Sequence, residues 1–128
     1  YRKDSLYIIT KCRTQPFDGL AQVYCLPTTA GTYEATKKTT IKIGKRDMLR
    51  DAVTSAEFFN HQLYLLTYNR LIIYSFKKGI PVFKQQIPLF PITQKEALAV
   101  KKNGLVFLAD ERNKLLGGGL IYSVNTNK

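Results

Sequence analysis

Cysteine and histidine are nearly missing from these 128 residues: Cys12, Cys25 and His61 are the whole supply. A structural zinc site wants about four nitrogen or sulfur ligands, so too few are present. There is no Cys-x-x-Cys redox motif. Ser55 and Ser75 lack a Gly-x-Ser-x-Gly context. His61 falls in Asn60-His61-Gln62, which reads as a surface turn remote from the carboxylates, so no nucleophilic triad is expected. No apolar run approaches the ~20 residues that span a bilayer, and the first residues do not read as a signal peptide. The sequence opens on Tyr1 rather than Met, as expected of a processed or trimmed piece of a longer product.

Acidic residues are also scarce. Nine Asp plus Glu stand against 20 Lys plus Arg, a net charge of +11. Such a field favours anionic partners, and a polyanion-binding domain is one reading. The cations come mostly as short pairs, namely Lys37-Lys38, Lys45-Arg46, Lys77-Lys78 and Lys101-Lys102. Several flank turn signals, which fits solvated turns and guarded sheet edges better than a binding stripe. Hydrophobic residues at 45% and charged residues at 23% match an ordinary globular domain.

What the sequence does contain is a repeat. Ser5-Leu6-Tyr7-Ile8-Ile9, Gln62-Leu63-Tyr64-Leu65-Leu66 and Gly104-Leu105-Val106-Phe107-Leu108 align, each followed by polar residues and an Arg. All three are short and rich in β-formers, so they read as buried strands. A second motif follows each: Val23-Tyr24-Cys25-Leu26, Ile73-Tyr74-Ser75-Phe76 and Ile121-Tyr122-Ser123-Val124. A preceding strand with small residues appears at Val53–Phe59 and Glu96–Val100. A trailing, alternating strand appears at Thr39–Ile43 and Pro81–Ile87, with Lys42 and Lys84 as edge guards. The recurring tyrosines fit core packing better than base stacking.

The unit is a four-stranded antiparallel meander of about 40 to 50 residues, the length of a β-propeller blade. The expected fold is all-β, one domain over 1–128. Its blade-like units cover about 5–44, 52–87 and 96–124, and it is read as a fragment of a larger propeller. The first unit lacks an inner strand and the third an outer one. Three incomplete blades leave apolar faces at both ends, so self-association or the remainder of a propeller is expected to cover them. The structural alternative is a closed antiparallel β-barrel. Cys12 aligns with a turn and Cys25 with a strand interior, so two separate thiols are expected rather than a disulfide.

Glu96-Ala97-Leu98-Ala99-Val100 followed by Gly104–Glu111 resembles blades of six-bladed secreted or periplasmic propellers, such as the SdiA-regulated and esterase-like phytase-like groups. Val53-Thr54-Ser55-Ala56, with Leu63–Tyr68 and Leu71–Tyr74, is similar to a blade of Bacteroidetes surface propellers. The likeness covers about 5–124. Ser55 and Ala97 stand where many relatives have Gly. The resemblance implies a periplasmic, cell-surface or secreted setting and a lectin-like, scaffold or ligand-binding role.

In a meander blade, loops joining the second and third strands share a face with loops joining successive blades. That face would carry 13–20, 45–52, 88–95 and 110–119, the longest connections. Candidate ligand-binding residues there are Asp18, Arg50, Asp51, Glu96, Asp110, Glu111 and Arg112. The plainer expectation is that the carboxylates neutralise Arg50, Lys95 or Arg112. The leading functional reading is a non-enzymatic binding or scaffold module without a cofactor. A second reading, from the phytase-like resemblance, is a calcium-dependent hydrolase. Glu96, Asp110 and Glu111 would hold the ion, which wants six to eight oxygens, and Arg50 and Arg112 would hold an anionic substrate. Gly117-Gly118-Gly119 lacks the ending and following helix of a phosphate loop and reads as a flexible hairpin.

Overall fold

The computed structural model describes residues 4–77 and 79–126; Lys78 of the Lys77-Lys78 pair lies outside them. The described residues form ten strands and one helical turn. In chain order these are β1 (Ser5–Ile9), β2 (Leu20–Pro27), β3 (Thr36–Lys42), α1 (Met48–Asp51), β4 (Ser55–Phe59), β5 (Gln62–Leu66), β6 (Arg70–Lys77), β7 (Ile80–Pro88), β8 (Gln94–Val100), β9 (Leu105–Glu111) and β10 (Ile121–Asn125). They make three separate antiparallel sheets, β1-β2-β3, β4-β5-β6-β7 and β8-β9-β10, each paired in sequence order. No described helix is long and apolar enough to cross a membrane.

The middle sheet is the centre of the molecule, for a reason visible in its strands. β5 and β6 are apolar at nearly every position, and successive residues of a strand point to opposite faces. Leu63, Leu65, Ile72, Tyr74 and Phe76 join one core with Ala21, Val23 and Ile41 of the first sheet. Tyr64, Leu66, Leu71 and Ile73 join a second core with Val106 and Leu108 of the third. Two faces of one sheet are thus each covered by a neighbour. The flanking strands β1, β8 and β10 alternate in burial, as strands with a single covered face do.

This packing corrects the barrel alternative: none of the three sheets closes on itself. A barrel of these strands would leave one face of β5 and β6 in water. Instead the β3–β4 and β7–β8 connections carry the chain onto the face of the next sheet. The hairpins themselves follow local chemistry. Asn60 and His61 have φ of 47° and 60°, both in the left-handed region, as a two-residue turn with matched twist requires.

The repeat alignment needs one adjustment. It places Leu105 and Phe107 level with Leu63 and Leu65. In the structure Val106 and Leu108 face the second sheet, while Phe107, opposite Ser123 and Ala99, faces away. The β8–β9 turn is longer than the Asn60-His61 turn, and a one-residue slip exchanges the faces of a strand. The tyrosines keep their face. Tyr74 and Tyr122 each pack toward the preceding sheet. Tyr24 lies opposite the exposed Ile8, on the side where a preceding sheet would stand.

The small-residue strands β4 and β8, each at an edge of its sheet, lie beside each other. Glu57 Oε2 accepts from the Val100 backbone N–H at 2.8 Å and ties the two together. Ala56, Ala97 and Ala99 stay exposed there.

Candidate ligand-binding face

The long connections gather at one end of the sheets, and three networks hold them there. The first is centred on a buried ion pair. Asp51 ends α1, whose Asp47 caps the turn by accepting from the Arg50 N–H at 2.9 Å and also pairs with the Arg50 guanidinium. The Asp51 carboxylate accepts from Arg70 Nη2 at 2.7 Å and from the Arg46 backbone N–H at 2.7 Å. Arg70 also donates to the carbonyls of Ile43 (2.9 Å) and Arg50 (3.1 Å) and to Asn69 Oδ1 (3.1 Å). One guanidinium thereby fastens the inter-sheet connection to the β5–β6 turn. Gly44 makes room: a Cβ there would sit 2.4 Å from the Asp51 carboxylate. Gly19, at φ +67°, likewise leaves room for the Gly44 carbonyl oxygen, which a Cβ there would meet at 1.4 Å.

The second network surrounds Tyr68. Its hydroxyl donates to Glu96 Oε1 at 2.6 Å and accepts from Lys11 Nζ at 3.1 Å. Lys11 lies 3.6 Å from Glu96 and 5.1 Å from the Tyr68 ring centroid. Burial, reinforced by the bond to Glu96, raises the Tyr68 pKa, and Lys11 opposes the rise.

The third network is around Lys95, which is 1% exposed. Its ammonium donates to Pro91 O (2.7 Å), Thr93 Oγ1 (2.8 Å) and Tyr68 O (3.1 Å), so all three protons are used. Burial pulls its pKa down, and Asp110 partly offsets that. Asp110 accepts from Thr93 Oγ1 (2.8 Å) and the Tyr122 hydroxyl (3.2 Å). Burial first, then Asp110, push the Tyr122 hydroxyl far above its usual range.

The expected site residues therefore have separate occupations. Asp18 closes its own loop, accepting from Cys12 Sγ at 2.9 Å and Leu20 N–H at 3.0 Å. Those bonds, the thiol first, lower its pKa. Glu111 accepts from Gln94 Nε2 at 3.1 Å. Arg112 is exposed on the β9–β10 connection. Glu96, Asp110 and Glu111 each serve different neighbours, and no three His, Cys, Asp or Glu side chains gather as a metal site among the described residues. Cys12 and Cys25 are both free thiols. Sequence reasoning passed over Lys11, Tyr68, Asn69, Arg70, Thr93 and Phe90. The Arg ending each repeat copy was the available signal, and of Arg13, Arg70 and Arg112 Arg70 is the one in a buried ion pair.

Two clefts open on this face. One, of about 470 Å³, lies where the β3–β4 connection meets the β5–β6 turn and β7; Arg46, Arg70 and Phe90 are among its walls. The other, about 230 Å³, is lined by Lys11, Arg13, Met48, Leu49 and Tyr68. Comparison with protein families, curated proteins and solved structures finds no match to the chain.

The perturbed hydroxyls set the behaviour in alkali. Tyr64, Tyr68, Tyr74 and Tyr122 all have pKa values raised above the ordinary 10.0, with burial the largest cause. A raised folded-state pKa gives stability that is complete below pH 10.0 and is lost as pH climbs toward the folded value. Lys95 acts oppositely: its burial penalty is relieved as pH rises from its lowered pKa to 10.5. Four groups outweigh one. Urea midpoints are expected to fall steadily above about pH 10, with tyrosinate absorbance appearing in step with unfolding. A midpoint unchanged to pH 11, about one unit above the free phenol, would contradict the burial of these hydroxyls. Lys95→Met should steepen the fall by removing the opposing term.

Proposed function

We propose that this chain is a non-enzymatic binding or scaffold module of the propeller type, working outside the cytoplasm as the family resemblance implies. The observation that carries the reading is the face equivalence of three stacked meander sheets. The second and third present their tyrosine strands toward the preceding sheet, Tyr24 of the first lies on the face where such a sheet would stand, and the inter-sheet connections gather at one end as a cleft-bearing surface. The carboxylates on that surface are committed to partners within the chain, which favours a fixed platform over hydrolytic machinery.

The two outer faces support the same reading. On the first sheet Leu6 and Ile8 are 45% and 42% exposed, and register places Tyr24 and Leu26 beside them. On the third, Phe107, Ala97, Ala99 and Ile121 share the open side, with Lys101 lying 5.5 Å from the Phe107 centroid. One open face is the counterpart of the middle sheet's face toward the first sheet. The other is the counterpart of its face toward the third. They are the two halves of one kind of interface, so a second copy of the chain fits head to tail. Two copies bring six sheets together, within the ~4 to 8 blades that close a propeller.

The test is sedimentation equilibrium of the 1–128 chain. A dimer or closed oligomer is expected, with Ile8→Lys or Phe107→Lys giving folded monomers. A monomer at about 100 micromolar that unfolds in one cooperative transition, unaltered by either substitution, would refute the stacking.

A further inference from the structure

The larger cleft combines three features. First, Lys45 and Arg46 line it, and their side chains have no hydrogen-bond or ion-pair partner among the described residues. Second, Arg70 also lines it, with its terminal nitrogens bonded within the fold and its Nε sealed from solvent, so it adds charge and no free donor. Third, part of the lining is apolar: Pro88 and Phe90 contribute to it, and Phe90 is 82% exposed. An aromatic ring in that position gains from being covered.

The charge around the cleft is lopsided. Lys45, Arg46 and Arg70 are cationic, and Asp51 is the lone carboxylate on the wall. Asp51 is already spent on Arg70 and the Arg46 N–H. Two uncommitted cations therefore remain, in a cleft whose lining is partly apolar. A volume of about 470 Å³ falls in the ~300–1,000 Å³ range of small-molecule sites.

We propose that this cleft binds a small organic anion, with a carboxylate head held by Lys45 and Arg46 and an apolar ring laid against Phe90 and Pro88. A bare phosphate would satisfy the cations and leave the aromatic wall open. A neutral aromatic would cover the wall and leave the two cations unanswered. The cleft is built within one chain, so its occupancy and the head-to-tail association stand or fall separately.

The test is an amide chemical-shift titration of the 1–128 chain with phenylacetate, with benzyl alcohol and inorganic phosphate as comparison probes. Saturable shifts are expected at Arg46, Asn69 and Gln86. Phenylacetate should bind about tenfold more tightly than either comparison probe. The double variant Lys45→Ala/Arg46→Ala should weaken phenylacetate about tenfold, while Phe90→Ala should bring it down to the level of phosphate. These side chains are exposed and carry no structural bonds, so the variants keep the fold, checked by their unchanged urea midpoints. No saturable shift up to about 50 mM phenylacetate, equal binding of benzyl alcohol, or shifts scattered over all the lysine pairs would overturn the assignment.

Discussion

Phe76→Ala is expected to destabilise the domain by about 3–5 kcal/mol, the cost of removing a fully buried ring and leaving its cavity. Phe76 is 0% exposed and stands where the first two sheets meet. Its ring is 4.9 Å from that of Phe58 and 5.8 Å from that of Tyr7, both edge-on, and Phe58 and Tyr7 are themselves 4.9 Å apart. The three rings come from β6, β4 and β1, so one truncation loosens two sheets at once. Domains of this kind are stable by only about 5–15 kcal/mol, so the loss is a large share of the total. The control is Phe83→Ala on β7. Phe83 is 59% exposed and touches Tyr74 edge-on at 6.0 Å, so its loss should cost about 1 kcal/mol. Urea unfolding of both variants measures the difference. Equal costs would mean that the aromatic triad does not bind the first sheet to the second.

The second large effect belongs to Arg70. Arg70→Met removes four hydrogen bonds and leaves Asp51, 2% exposed, with the Arg46 N–H as its remaining partner. Breaking a buried pair from one side costs about 3–5 kcal/mol, because the surviving charge stays out of water without compensation. Arg70→Met/Asp51→Leu should recover part of that loss, since replacing both partners removes the stranded charge. Urea midpoints of the two singles and the double give the coupling. A single variant within about 0.5 kcal/mol of the parent would show that the pair is solvated in solution. By contrast Arg50, which the sequence nominates for a ligand, pairs with Asp47 at an exposed site. Its removal should cost under about 1 kcal/mol.

These two residues show how legible the sequence was. Phe76 belongs to the repeated apolar-Tyr-small-apolar motif, and that repetition placed it in a strand of its meander before any coordinates. Arg70 also sits in a repeated position, yet nothing local separates it from Arg13 and Arg112. What separates them is the neighbour that each meets. Arg70 starts a central strand of the sheet that is covered on both sides, so its guanidinium is enclosed by the connection from the preceding sheet. Lys95 makes the same point. In sequence it is one more loop cation, and in the fold it is sealed by carbonyls of two other segments.

The loop face was readable, because meander connectivity fixes which turns share an end. The pairing on that face was not readable. Carboxylate partners came from Lys11, Tyr68 and Arg70 rather than from Arg112 or directly from Lys95, since partner choice depends on how sheets rotate against one another. Phe107 shows the limit within one strand. Turn length decided its face, and with it which side of the third sheet stays open.

The sequence alone determined the strands, their order and their grouping into three meanders. Those properties follow from periodicity, turn chemistry and short-range pairing, all of which act within about fifty residues. Tertiary structure decided the rest. Which charges are buried, which thiol meets Asp18, and where Lys45, Arg46 and Phe90 frame a cleft are consequences of one sheet lying on another. Contacts of that kind join residues far apart in the chain, and no local pattern specifies them.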